Sequence, residues 1–236
     1  MAPLQFGILI YDFQAVDVVG PMDVINSCSK SAMQLCSSFM KVEEEVISRA
    51  QDFVFHHIGV TRDPVTLTYG ALAIKPSTTV EECPELDILL LGGPDPSKFE
   101  LHPKFADFIR QHVAAGKLLF TTCTGAAVAA AAGVLDGKNA TVNHGAIPFL
   151  KPMFPNVNWT DEKKWIVDGN IWTSGGAIAG MDMFAHWVKE NYGLDVLILG
   201  SSMLDYEPRD VDGILNVIPK RFSEDGKQLP THVFIR

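Results

Sequence analysis

The sequence predicts an α/β protein built as a doubly wound sandwich around a mostly parallel central sheet. Three observations carry that expectation. Short apolar runs, Leu4 to Tyr11, Asp87 to Leu91 and Lys117 to Thr121, read as strands of a parallel sheet buried on both faces. Between them lie segments with helical spacing of apolar residues, and Gly or Pro marks the junctions. The residues after these runs, Gly92-Gly93-Pro94 and Thr122-Cys123-Thr124 among them, fall where such a sheet presents the C-terminal ends of its strands to ligands.

Asp12 closes the first run. Gly20-Pro21 is expected to open a helix, because Pro at a first helical position forfeits no hydrogen bond, and Met22, Val24 and Ile25 follow on an apolar face. Ser27 to Ser38, rich in Ser and Cys, fits either an extension of that helix or a lid. Phe53 to Val60 reads as a strand, and Val65 to Thr68 with Leu72 to Ile74 as a hairpin across Gly70. His102 to Ala115 carries helical spacing through Phe105, Phe108, Ile109, His112 and Val113, with Gly116 as its C-cap. Gly125 to Gly133 is almost wholly Ala, Gly and Val, which suits a central helix pressed closely onto the sheet. Thr141 to Asn143 reads as a short strand, and Trp165 to Val167 pairs with Ile171 to Thr173 around the turn at Asp168-Gly169-Asn170. Ile178 to Tyr192 is a long amphipathic helix ended by Gly193. This alternation describes a flavodoxin-like single domain over residues 1–206. An extension, 207–236, is broken by Pro208, Pro219 and Pro230; its apolar end, His232-Val233-Phe234-Ile235, is expected to pack on the domain or on a second subunit.

Composition narrows the function classes. With 28 acidic against 19 basic residues, a net charge of −9 and no basic cluster, the chain lacks the means to bind phosphate backbones, so no nucleic-acid partner is expected. No run approaches the roughly 18 apolar residues of a membrane span, and MAPLQFGILIYDF carries no positively charged leader, which predicts a cytoplasmic protein without a membrane partner. Cys28, Cys36, Cys83 and Cys123 are scattered, without zinc-site pairing, as in a protein of a reducing compartment. No metal-ligand spacing appears.

The chemistry gathers at Cys123. Leu118 to Ala127 takes a buried strand into a helix within about two residues, the geometry of a nucleophile elbow. A thiol there is expected to have a lowered pKa, because unpaired N–H groups and the helix dipole favour the thiolate. The N–H groups of Thr124 and Gly93 are the candidates for stabilising developing negative charge, with Gly92 and Gly93 letting backbone approach a substrate and Pro94 lacking an N–H. Asp17, just beyond the first strand, is the candidate acid or base. Of seven histidines, His144 alone follows a short strand after the elbow helix and is expected within reach of the site.

On these residues the chain resembles the ThiJ/PfpI superfamily, and within it the isonitrile hydratases, over roughly residues 4–206. The matching stretches are Val16-Asp17-Val18-Val19-Gly20-Pro21, Cys123-Thr124-Gly125, Ala131 to Leu135, Asp168-Gly169-Asn170 and Gly175 to Asp182. The resemblance implies Cys123 as catalytic cysteine, Asp17 as essential acid, Thr124 as a further active-site residue, no cofactor, a small-molecule substrate and a homodimer. The histidine that peptidase-like and glyoxalase-like members carry after the cysteine is replaced by Thr124, and regulators of the superfamily append a helix-turn-helix domain for which this chain has no room. Asn143-His144 stands where isonitrile hydratases carry His-Trp, and Gly92-Gly93-Pro94 where they carry Pro-Gly-Gly, which makes these positions the candidates for shaping the substrate pocket. The activity so implied is hydration of an isonitrile to an N-substituted formamide through a Cys123 thioimidate, in an apolar pocket. The alternatives are a cofactor-free glyoxalase and a non-enzymatic oxidant sensor using the same thiol.

Overall fold

The computed structural model describes residues 2–68 and 72–229. In chain order it contains β1 (Leu4–Leu9), α1 (Val16–Ser27), α2 (Lys30–Ser37), α3 (Glu44–Arg49), β2 (Phe53–Gly59), β3 (Val65–Thr66), β4 (Ala73–Ile74), β5 (Thr78–Thr79), β6 (Ile88–Leu91) and α4 (Pro103–Ala114). There follow β7 (Leu118–Thr121), α5 (Gly125–Ala131), β8 (Asn139–Ala140), α6 (Ile147–Met153), β9 (Asn158–Trp159), β10 (Trp165–Asp168), β11 (Ile171–Ser174), α7 (Ala177–Tyr192) and α8 (Leu194–Met203). The residues divide into two compact units, one of Leu4–Gly20 with Val54–Gly180, the other of Pro21–Phe53 with the residues from Met181 onward.

The first unit holds the sheet, in the order β10-β11-β7-β6-β1-β2-β5. β1 runs parallel to β6, β6 to β7, β7 to β11 and β2 to β5, while β10 and β11 form the antiparallel hairpin expected at Gly169, whose φ is +65°. All four residues of β6 are buried, although successive side chains point to opposite faces, so this strand is covered on both sides. α5 packs on β6 and β7, and α4 on β7. The small side chains of α5 make that approach possible: a Cβ on Gly125 would stand 2.3 Å from the Leu91 carbonyl oxygen. This is the flavodoxin-like α/β class that the sequence predicts.

Two expectations of the sequence are corrected. Pro21 does not open its helix, because the first turn forms earlier, with Val19 N–H donating to the Ala15 carbonyl at 2.9 Å, so that Pro21 lies inside α1. Thr141 to Asn143 is not a strand. The pairing ends with Asn139–Ala140, and the Thr141 N–H turns to the side-chain oxygen of Thr173 at 2.9 Å. The β3–β4 hairpin forms as expected, but its Gly70 lies outside the described residues.

In the second unit, Ser27 to Ser38 resolves into a helix, α2, with Ser29 capping it through the Ala32 N–H at 3.1 Å. α3, α6 of the first unit and α8 had no counterpart in the sequence reading; α8 follows α7 at once because Gly193 turns the chain at φ +98°. Buried Asp182 on α7 accepts from the Tyr206 hydroxyl at 2.5 Å and from Arg209 Nε at 2.9 Å, tying down the start of the Pro-rich segment. The apolar end His232 to Ile235 lies outside the described residues. Among those described, no helix is long and apolar enough to cross a membrane, and no cluster of His, Cys, Asp and Glu could hold a metal ion.

Candidate active site

β7 ends at Thr121, and the chain reverses into α5 through Thr122, Cys123 and Thr124. The reversal puts Cys123 at φ +53°, a left-handed conformation uncommon for a residue with a side chain. A strained residue at the end of a central strand projects its side chain away from the sheet, and Cys123 lines a cleft of about 250 Å³. Gln14, Thr68, Gly93, Pro94, Asp95, Pro96, Thr124 and Asn143 complete the walls. The expected apolar pocket is therefore mixed, because Gln14, Thr68 and Asp95 arrive from loops beside β1, β3 and β6.

Asp17, in the first turn of α1, is fully buried, its Oδ1 has no hydrogen-bond partner, and its carboxyl interacts electrostatically with the Cys123 thiol. Its Oδ2 accepts the Gly93 N–H at 2.9 Å. The Gly93 N–H expected to face the substrate is thus committed to the acid, and a Cβ on Gly93 would lie 2.6 Å from both Asp17 Oδ2 and Thr124 Oγ1. Gly92 stands behind the cleft, its carbonyl accepting from the buried Tyr11 hydroxyl at 2.7 Å. The Thr124 N–H favours the ionised sulfur, and its hydroxyl donates to the Pro94 carbonyl, 2.6 Å away.

Asn143 and His144 separate sharply. Asn143 caps a short 3₁₀ turn, His144–Ala146, by accepting the Gly145 N–H on Oδ1 at 3.1 Å. That bond fixes the amide so that Nδ2 faces Cys123 Sγ at 3.7 Å. His144 points the other way: its Nε2 lies 2.9 Å from where a Cβ of Gly175 would be, and it does not line the cleft.

Electrostatics reverse one expectation. The Cys123 thiol is pushed up from its ordinary value, not down, chiefly by burial and then by the negative charge of Asp17. The opposing hydrogen bonds from Thr124 and Asn143 are weaker than those two effects. Burial raises Asp17 from 3.8 to about 7, against the lowering pull of the Gly93 and Cys123 hydrogen bonds. Tyr11, Thr122, Gln14, Thr68 and Asp95 escaped sequence reasoning. Of these only Thr122, a hydroxyl residue closing an apolar run just before the elbow, carried a signal.

A sequence model of the DJ-1/PfpI family matches residues 7–190. The chain is 32% identical over 207 residues to the isonitrile hydratase of Pseudomonas putida, covering 87% of this chain and 79% of that one. It is 27% identical over 136 residues to the HTH-type transcriptional regulator GbdR of Pseudomonas aeruginosa, covering 58% of this chain but 37% of the regulator. Among solved structures, a ThiJ/PfpI family protein from Pseudomonas syringae superposes with a TM-score of 0.67 at 24% identity, covering 89% of this chain and 78% of that one.

Proposed function

Since this chain belongs to the DJ-1/PfpI family, we propose that it is a cysteine-dependent hydratase or hydrolase of a small electrophile, and that its reaction is isonitrile hydration. One observation carries the reading: a buried carboxyl whose pKa burial raises to about 7 interacts with a thiol at a strained turn, and an amide faces the same sulfur. A cleft of about 250 Å³ fits a substrate of a few heavy atoms.

In this mechanism the ionised Asp17 carboxylate takes the Cys123 proton as sulfur attacks the terminal isonitrile carbon, forming the S–C bond. Asp17 returns that proton to the same carbon, giving a thioimidate. Water then adds to the C=N carbon, its proton passing through Asp17 to nitrogen, and the C–S bond breaks to release the N-substituted formamide and the thiolate. The remaining proton of the water restores the thiol, so the sum is isonitrile plus water. Asn143 and the Thr124 N–H stabilise the sulfur while it is anionic. The raised thiol favours this reading over an oxidant sensor, which relies on standing thiolate. A cytoplasmic location, a homodimer and no nucleic-acid partner belong to the same proposal.

The test is incubation of wild type and Cys123→Ala with an alkyl isonitrile while formamide is followed. Formamide from wild type alone supports the reading. Equal rates, or none from either, reject it.

A further inference from the structure

Pro inside a helix has no N–H for the carbonyl four residues back. In α1 that carbonyl belongs to Asp17, because Pro21 lies within Val16–Ser27. A buried carbonyl without a partner is costly, and the Asp17 carbonyl is not left without one. Thr122 Oγ1 donates to it at 2.8 Å, closer than its other acceptor, the Leu91 carbonyl at 3.3 Å. The hydroxyl is held in that direction from two sides. The Thr122 N–H bonds the Leu91 carbonyl at 3.0 Å, and the methyl fills space over Gly180, where a Cβ would stand 2.4 Å from Cγ2.

We propose that Thr122 is a positioning residue for the Asp17–Cys123 pair: its hydroxyl replaces the helix hydrogen bond that Pro21 removes and so fixes the acid against the thiol of the next residue. The inference rests on the reading that Asp17 and Cys123 are the reacting groups. Asp17 is then held at two points, its carbonyl by Thr122 and its carboxylate by the Gly93 N–H. Donor and nucleophile are consecutive in the chain, so a shift of Asp17 relative to Thr122 is also a shift relative to the sulfur. Valine at 122 would fill the same volume and leave the carbonyl bare.

Among the described residues the titratable groups set against Asp17 are the Cys123 thiol and the Tyr11 phenol. Burial keeps Tyr11 far above neutrality, so a step near pH 7 reports Asp17. The experiment is alkylation of Cys123 by iodoacetamide, resolved from the other cysteines by peptide mass spectrometry, from about pH 5 to about pH 10. It needs no isonitrile turnover, so its failure is distinct from failure of the proposed reaction. Wild type is expected to show an Asp17 step near neutrality and a later thiol step. In Thr122→Val the Asp17 step moves to lower pH, as the carboxyl relaxes toward water, and the rate between the steps changes by about fivefold. Thr122→Ser keeps the step, and adding Pro21→Ala to Thr122→Val restores it, because an alanine N–H at 21 reaches the Asp17 carbonyl within the helix. A Thr122→Val profile superimposable on wild type overturns the inference, as does a changed profile that Pro21→Ala leaves uncorrected. If Thr122→Val does not fold, the double variant decides: a folded protein with the wild-type profile supports the inference, and an unfolded one overturns it. A wild type with the thiol step alone would remove the Asp17–Cys123 pairing and this inference with it.

Discussion

The carboxyl of Asp17 and the thiol of Cys123 act on one another with opposite sign. The charge of Asp17 raises the thiol, while the hydrogen bond from the thiol lowers the carboxyl. Burial raises both, so Asp17 gives up its proton at about 7 and Cys123 only above its ordinary 9.0. Near neutral pH the site therefore holds a carboxyl divided between its acid and base forms beside an intact thiol. A proton acceptor of that strength is suited to taking the thiol proton during attack and returning it afterwards.

Asp17→Asn separates turnover from thiol reactivity. Formamide formation should fall by about a hundredfold or more, because the group that moves the proton is gone. Removing the negative charge also lowers the thiol pKa, so alkylation of Cys123 at mildly alkaline pH should become faster than in wild type. Parallel kinetics with isonitrile and with iodoacetamide check both directions; a fall in both rates would contradict the charge coupling.

The same carboxyl makes stability depend on pH. Its folded pKa is raised from 3.8 to about 7, so the folded state holds this proton more tightly than the unfolded chain. The stabilisation is full below about pH 4 and is lost as pH rises through about 7. Asp17→Asn has no such loss. Relative to wild type it should gain on the order of 2–4 kcal/mol between acidic and mildly alkaline pH, read from urea unfolding of both proteins across that range.

Gly93→Ala should damage the site through one atom. The added Cβ meets Asp17 Oδ2 and Thr124 Oγ1 at 2.6 Å and the Thr124 nitrogen at 2.8 Å, so the acid or the helix start must move. We expect a loss of about 1–3 kcal/mol in stability and at least about tenfold in kcat, measured by unfolding and steady-state turnover.

Asn143 and His144 should differ although they are neighbours. Asn143→Ala removes the amide that favours the thiolate, so Cys123 alkylation at fixed pH should slow by about two- to fivefold. His144→Ala, a change of a side chain that faces Gly175, should leave that rate within about twofold of wild type. Site-resolved alkylation of the two variants at one pH decides the comparison.

Much of the architecture was legible because it depends on local pattern. A four-residue apolar run such as Ile88–Leu91 has no exposed face to offer, and the Ala and Gly run after Cys123 suits a helix close against a sheet. Those two facts also locate the turn at Cys123, and the position just after β1 locates Asp17. The place of Pro21 was misread because a proline that opens a helix and one that interrupts it look alike in one dimension. The hydroxyl of Thr122, 101 positions beyond Pro21, donates to the Asp17 carbonyl that the interior proline cannot serve. The choice between Asn143 and His144 escaped because it turns on one hydrogen bond, from Gly145 to Asn143 Oδ1.

By itself, then, the sequence determined where strands and helices alternate, that a thiol stands at the abrupt change between them, and that an acid follows the first strand. These rest on periodicity, on residue size and on the conformations that Gly and Pro allow, all of which act within a few residues. Tertiary structure alone decided that the thiol is raised, that the Gly93 N–H serves Asp17 instead of the open cleft, and that Asn143 faces the sulfur. Each of those depends on desolvation and on charges and donors brought together from distant segments, and desolvation has no value until the chain has closed around the group.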